Sequence, residues 1–335
     1  MDTLRLPTTL CIGGLTLETP VLLAPMAGFT DLPFRLILRR LGGLGLAFAE
    51  MVNPPSVLFG GGKRRREILA TAPSDRPLGY QIYGTDPHMV AEAARWLEGH
   101  GADVIDINMG CPRREITSGG GGAALLRRPD LAVRIAEAVV AAVGVPVTVK
   151  MRLGWGPGEL VAPGLARELE GVGVAAITVH GRTRAQGFGG SADLEGIRRV
   201  VEAVQRIPVV GNGDVTSPAA ALRMLRETGC AGVMVARGAV RDPWLIRDIW
   251  RALRGLPPLP APTRAERLAL VREQFEGSVL HYGERHAVAI FRRWIPETCK
   301  KLDLDRETML RLLRVTGIEE MRRELEGLLR AESGD

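Results

Sequence analysis

The stretch Asp103-Val-Ile-Asp-Ile-Asn-Met-Gly-Cys-Pro112 carries the first chemical signal in this chain. An apolar run stops at polar Asn108 and then presents the thiol of Cys111 between Gly110 and Pro112. Glycine lets another group approach closely, and proline restricts the backbone that follows. A lone cysteine is otherwise a small buried hydrophobe, but this one has the form of a site at a strand's carboxyl end. Other apolar runs end in polar groups too: Pro25-Met26-Ala27, Glu50-Met51, Gln81, Lys150 and Arg152, His180-Gly-Arg182, Gly211-Asn212-Gly213-Asp214 and Ala236-Arg237-Gly238. The set holds no Asp/Glu/His cluster of metal-ligand character and no Ser-His-Asp arrangement, which disfavours metal-assisted hydrolysis. It does hold two glycine turns, Asn212-Gly213 and Arg237-Gly238, whose free N–H groups suit a phosphate, with Arg237 adding charge. Gln81 and Lys150 suit hydrogen bonding to a planar heterocycle, lysine also stabilising negative charge on it, and Met26-Ala27 offers an apolar shelf. Together they describe a bound flavin mononucleotide (FMN) with a thiol nearby. Each residue alone has a plainer reading: Lys150 as half of an ion pair, His180 as a satisfied core histidine, Gly-Asn-Gly as a tight loop. Their joint occurrence at strand ends favours the site.

The elements that must position these groups are short β-branched runs at 21–24, 46–50, 78–82, 104–108, 147–150, 176–180, 209–212 and 233–236. Helical periodicity fills 33–41, 87–99, 130–143, 164–171, 192–204, 217–228 and 243–253, with Asp86 and Ser217 as N-caps before Pro87 and Pro218. The stretch between the second and third runs reads as mostly loop, with a short helix at 63–70 at most. Alternating strands and helices imply parallel strands, and continuously apolar strands imply burial on both faces. Eight such units match an α/β fold, a (β/α)8 TIM barrel. A doubly wound sheet is the runner-up, but no strand leads into G-x-G-x-x-G. Residues 255–262 form a proline-dense linker, and the rest is helical at 263–282, 286–302, 307–315 and 318–331. The expected organisation is a barrel over 1–254, the linker, and a small all-helical C-terminal domain over 263–335.

With 335 residues of which 46% are apolar, the chain supports a large core. The net charge of +6 leans modestly toward an anionic partner, while 4% aromatics argue against base stacking as the main mode of RNA binding. Cys11, Cys111, Cys230 and Cys299 form no CxxC pair, so no metal site is expected. With no signal-peptide pattern and no long apolar run, a cytoplasmic protein with reduced thiols is expected. A monomer is the default.

The motifs Ala24-Pro-Met-Ala-Gly-Phe-Thr-Asp-Leu-Pro-Phe-Arg35, Asp106-Ile-Asn-Met-Gly-Cys-Pro112, Val149-Lys-Met-Arg152, Val179-His-Gly-Arg-Thr-Arg-Ala185, Gly211-Asn-Gly-Asp214 and Val233-Met-Val-Ala-Arg-Gly-Ala239 resemble the tRNA-dihydrouridine synthases. The resemblance runs from about residue 12 through the linker and more weakly beyond. It implies an FMN-bound barrel whose helical domain helps hold tRNA, with NADPH as reductant. By resemblance, Pro25, Met26, Ala27, Gln81, Lys150, His180, Asn212, Gly213, Asp214, Ala236 and Arg237 contact the cofactor. Cys111 is the general acid, and Asn108, Arg182, Arg292 and Arg293 meet the substrate. The uridine would be flipped into the barrel mouth. Hydride arrives at carbon 6 of the uracil, and Cys111 protonates carbon 5 from the opposite face.

Three segments depart from the family pattern. The loop after Cys111 is richer in glycine, which implies greater mobility. Arg292-Arg293-Trp294 stands where relatives often carry Arg-Lys-His. The 60–66 loop is unusually basic, and with Arg113, Arg114 and the 292–301 patch it is expected to surround one mouth as a tRNA footprint. The competing readings are an FMN barrel of the dihydroorotate dehydrogenase type acting on a small pyrimidine, and a non-catalytic tRNA-binding barrel.

Overall fold

The computed structural model describes residues 6–333. A hairpin of β1 (Leu10–Ile12) and β2 (Leu15–Leu17) precedes eight barrel strands: β3 (Val21–Leu23), β4 (Leu46–Phe48), β5 (Leu78–Ile82), β6 (Val104–Met109), β7 (Val147–Arg152), β8 (Ala176–His180), β9 (Val209–Asn212) and β10 (Gly232–Val235). All barrel pairings are parallel, in chain order, and β10 closes on β3 with Val233 opposite Val21. This is the TIM barrel anticipated from the alternating runs. The hairpin was not anticipated from the sequence. It covers the barrel end where strands begin, with Leu10, Ile12 and Leu17 packed under Leu22, Leu46, Val104, Val210 and Met234.

Strand period decides what faces the centre. Successive side chains alternate, so one set packs outward against the helices and the other fills the interior. The inward set changes character along the barrel axis. Leu22, Leu46, Phe48 and Val104 make an apolar floor. Above it the pairings align Gln81 with Asp106, then Asn108 with Lys150, then His180 with Asn212. Each apolar side chain removed from water contributes about 1.5–3 kcal/mol, so the floor and outer layer hold up the polar tier.

Helices form largely where periodicity places them. Asp86 accepts from the N–H groups of His88 and Met89, and Ser217 from that of Ala220, each with proline in the first turn. The stretch after β4 is more ordered than expected: Pro54–Leu58 and Lys63–Leu69 are both helical. Asn53 caps the first by accepting from Ser56 N–H, a cap that the sequence reading passed over.

Five helices follow residues 255–262: Arg264–Tyr282, Glu284–Phe291, Ile295–Leu302, Arg306–Arg314 and Ile318–Ser333. The single helix expected over 286–302 breaks near Trp294, because Pro296 has no N–H for Arg292 and its ring crowds that carbonyl. The break aims Trp294, only 1% exposed, at the barrel. Its ring meets Phe29 edge-on at 5.1 Å and Phe34 at 4.8 Å. Tyr282 donates to Asp31 Oδ2 at 2.9 Å in the same contact. The helical region therefore shares one continuous core with the barrel.

Candidate active site

A cavity of about 360 Å³ opens at the carboxyl ends of the strands. Pro25, Met26, Ala27, Gln81, Asn108, Cys111, Lys150, His180, Asn212, Gly213, Asp214, Ala236 and Arg237 all line it. Residues scattered over more than 200 positions converge because each stands at or just beyond a strand end. Those on β5 to β9 occupy the inward register.

Cys111 sits in a fastened loop. Asn108 Oδ1 accepts from the N–H groups of Gly110 at 3.1 Å and Cys111 at 2.9 Å. Arg152 Nε donates to the Gly110 carbonyl at 2.9 Å, clasping the same peptide from the other side. The glycine-rich segment behind is tied to this loop: Ala123 N–H donates to the Cys111 carbonyl at 3.0 Å. Gly122 has φ +56°, and a Cβ there would lie 2.8 Å from the Cys111 oxygen. Burial pushes the Cys111 thiol above its ordinary range, against the opposing pull of the Arg113 N–H and of Arg113, Arg152 and Lys150 charges. The thiol is thus a held proton, and those same groups favour the thiolate left behind.

The facing wall is cationic. Burial, aided by Arg152, lowers Lys150 to about 8, and its Nζ donates to Asn212 Oδ1 at 3.0 Å. His180 is driven far below its usual range by burial and then by Lys150, Arg152, Arg182 and Arg237, so it is neutral. Its Nε2 lies 3.2 Å from Arg182 Nη1 and accepts there, which leaves the proton on Nδ1. Gly213 has φ +117°, and a Cβ on it would stand 2.8 Å from Ala192 Cβ and 3.0 Å from His180 Cδ2. A Cβ on Gly238 would strike the Val215 carbonyl at 2.4 Å. Both positions admit glycine alone, Gly213 just after β9 and Gly238 in the short helix Arg237–Arg241, and both line the cavity beside the Arg237 charge, a combination suited to a phosphate-bearing ligand.

The dihydrouridine synthase family model matches residues 22–329. The chain belongs to the dihydrouridine synthase family. It is 44% identical over 285 residues to a probable tRNA-dihydrouridine synthase of Rhodobacter capsulatus, covering 85% of this chain and 87% of that one. It is likewise 44% identical to tRNA-dihydrouridine synthase B of Xanthomonas axonopodis, covering 84% of each. Among solved structures, morphinone reductase in complex with tetrahydroNAD superposes with a TM-score of 0.52 at 14% identity, covering 77% of this chain and 93% of that one, a likeness of fold.

In this dihydrouridine synthase fold three of the expected residues stand outside the cavity wall. Arg182, 1% exposed, donates to the Gly189 and Gly190 carbonyls and to both Asp214 oxygens at 2.8 and 2.7 Å. Its guanidinium is consumed in joining two loops and in orienting His180. Asp214 lines the cavity but is held by Ala192 N–H and Arg182, which overcome burial and keep its carboxyl below the ordinary range. Arg292 donates to the Val315 carbonyl at 2.6 Å, inside the helical region. Arg293 reaches the lip instead: a Cβ on Gly28 would lie 2.5 Å from its Nη1.

The expected basic loop at 60–66 is partly spent on the fold. Lys63 donates to the Tyr282 carbonyl and pairs with Glu67, while Arg65 donates to Val57 and stacks on Trp96.

Phe188 was missed in the sequence. It lines the cavity, is 58% exposed, and lies 5.5 Å from the Arg152 guanidinium and 4.7 Å from that of Arg237. An aromatic bracketed by glycines just after His-Gly-Arg-Thr-Arg was the available signal. Arg152 was noted only as a strand end. Its Nη1 donates to the Thr183 and Gly187 carbonyls, so one guanidinium ties the thiol loop to the Phe188 loop.

Proposed function

We propose that this chain is a tRNA-dihydrouridine synthase, reducing the C5–C6 double bond of uridines in tRNA with NADPH as reductant, as a cytoplasmic monomer. The observation that carries this reading is the convergence of the Cys111 thiol, the Lys150 ammonium and the Gly213 and Arg237 turns on one cavity. The donor set fits FMN: a cationic glycine cradle for the phosphate, amide and ammonium donors for the ring edge, and Met26-Ala27 as apolar contact. Pro25, Met26, Ala27, Gln81, Lys150, His180, Asn212, Gly213, Asp214, Ala236 and Arg237 would hold it. Bound and reduced, FMN supplies the hydride for carbon 6 of the uracil.

The remaining steps belong to the chain's own residues. Cys111 holds a proton at neutral pH for delivery to carbon 5, and general acid catalysis of this kind is worth about 10²–10⁴-fold. The Arg113 N–H and the Arg152 guanidinium then stabilise the thiolate. Neutral His180 keeps the wall from acquiring a further charge next to Lys150. A stacked uridine could not reach the thiol, so the base must leave the RNA stack. Exposed Arg113 and Arg241 line the mouth, with Arg114 next in sequence and Arg293 beside Gly28, to meet the phosphates.

Purified protein with NADPH and tRNA devoid of dihydrouridine should show flavin absorbance and convert specific uridines, read by nucleoside mass spectrometry. Conversion of free uridine in preference to tRNA would replace this reading with a small-pyrimidine oxidoreductase, and a colourless inert protein would remove it.

A further inference from the structure

Asp106 lies below the cavity wall, 1% exposed, in the first polar tier above the apolar floor. Gln81 Nε2 donates to its Oδ2 at 2.6 Å, and Thr148 Oγ1 donates to its Oδ1 at 2.7 Å. Gln81 Oε1 in turn accepts from Asn108 Nδ2 at 2.7 Å. Asn108 Oδ1 accepts from the Gly110 and Cys111 N–H groups. Asp106, Gln81 and Asn108 on β5 and β6 thus form one line of hydrogen bonds from the barrel interior to the peptide N–H of Cys111.

The line has a direction. A side-chain amide donates at one end and accepts at the other, and the two ends exchange by a flip. A carboxylate only accepts and a peptide N–H only donates, so the termini of this line cannot flip. Each amide between them is left with one satisfying orientation. A carboxyl buried above an apolar floor is costly, and here burial raises it to about 7, with Gln81, Thr148 and Lys150 pulling the other way. Lys150 is the charged group that acts on it. An apolar residue, as in the tier below, would avoid that cost but would leave the Gln81 NH2 buried without an acceptor and the line held from its peptide end alone.

We propose that Asp106 is a positioning residue for the Cys111 thiol: its buried carboxylate sets the direction of the Gln81 amide, which sets that of Asn108, which seats the peptide carrying the sulfur. Reversing Asn108 would set its NH2 against the Gly110 and Cys111 N–H groups and release the loop.

The test reads the thiol directly, in apoprotein without FMN, NADPH or tRNA, so its outcome is independent of whether the chain reduces uridine. In a Cys11→Ser background, Cys111 is the half-exposed thiol, since Cys230 and Cys299 are buried. At about pH 8.5, where Asp106 is ionised, alkylation of Cys111 by iodoacetamide should accelerate in Asp106→Leu by roughly fivefold or more, the factor one lost hydrogen bond carries. Asp106→Asn combined with Gln81→Glu moves the acceptor-only group one link along the line and satisfies every partner, so it should return the rate to that of the parent. A merely space-filling role for Asp106 predicts no such rescue. Should Asp106→Leu fail to fold, Gln81→Met cuts the same line one residue later and should show the same acceleration. A folded Asp106→Leu or Gln81→Met protein with the parent's rate, or a double variant as fast as Asp106→Leu, overturns the proposal.

Discussion

The phenol of Tyr282 donates to Asp31 Oδ2 at 2.9 Å, joining the first helix of the C-terminal region to the residue that caps Leu32–Leu41 on the barrel. Asp31 also accepts from Phe34 N–H, so one buried carboxyl serves both as helix cap and as docking point. Tyr282→Phe leaves that oxygen without its donor and should cost about 1–3 kcal/mol. Urea unfolding at pH 7.5 measures it.

The same carboxyl gives a pH signature. Burial raises Asp31 to about 6, helped by Glu50 and opposed by Phe34 N–H, Tyr282 and Arg35. Its folded value lies above the unfolded one, so its stabilising share is full at low pH and lost as pH rises through about 6. Asp31→Asn keeps the cap through its single oxygen and turns its NH2 to the Tyr282 hydroxyl, which then accepts, and it does not titrate. The stability of the parent minus that of the variant should fall between pH 4 and pH 7, and denaturant midpoints at those two pH values check the sign.

Cys111→Ala removes the proton source and little else. The variant should retain FMN and still oxidise NADPH, while dihydrouridine formation falls by about 10²–10⁴-fold. Single-turnover assays with pre-reduced enzyme separate the two half-reactions.

Burial holds Lys150 at about 8, so its ammonium is present below that pH and lost above it. FMN affinity of the apoprotein should therefore weaken as pH rises from 7 to 9.5, and Lys150→Met should lower affinity and abolish that dependence. Titrations following quenching of flavin fluorescence measure both.

Gly122→Ala places a methyl 2.8 Å from the Cys111 carbonyl at φ +56°. The strain of about 1–2 kcal/mol falls on the thiol loop and not on the phosphate turns. Turnover should drop while the ratio of bound flavin to protein stays at that of the parent.

For tRNA, removing the charges of Arg113 and Arg114 should weaken binding and flatten its salt dependence by about two phosphate contacts. Replacing Lys63 and Arg65 should instead lower stability, since both are bonded to the fold. Binding isotherms at several salt concentrations, beside melting curves, separate the two classes.

The barrel was legible because continuously apolar strands ended abruptly in polar residues, and strand ends converge in any closed barrel. That rule delivered Cys111, Lys150, Asn212 and Arg237 from positions far apart. It could not say how many carbonyls a given arginine meets. Arg182 and Arg292 are expected by resemblance to meet the substrate, yet loops and a neighbouring helix take up their donors. Phe188 was invisible for the related reason that its place is set by Arg152 reaching across from another strand. Asp106 carries no role in the sequence reading, and its meaning appears only once Gln81 is beside it.

Closure of β10 on β3 puts Pro25 and Met26 beside Ala236 and Arg237, so the cavity straddles the seam between the earliest and latest barrel strands. During translation, the growing polypeptide must carry the thiol, the ammonium and half the wall for more than 80 residues of further synthesis before the last wall segment emerges from the ribosome. Truncated products would hold a cysteine and a cluster of cations with no vessel around them, because the wall is complete only once Ala236 and Arg237 have joined it.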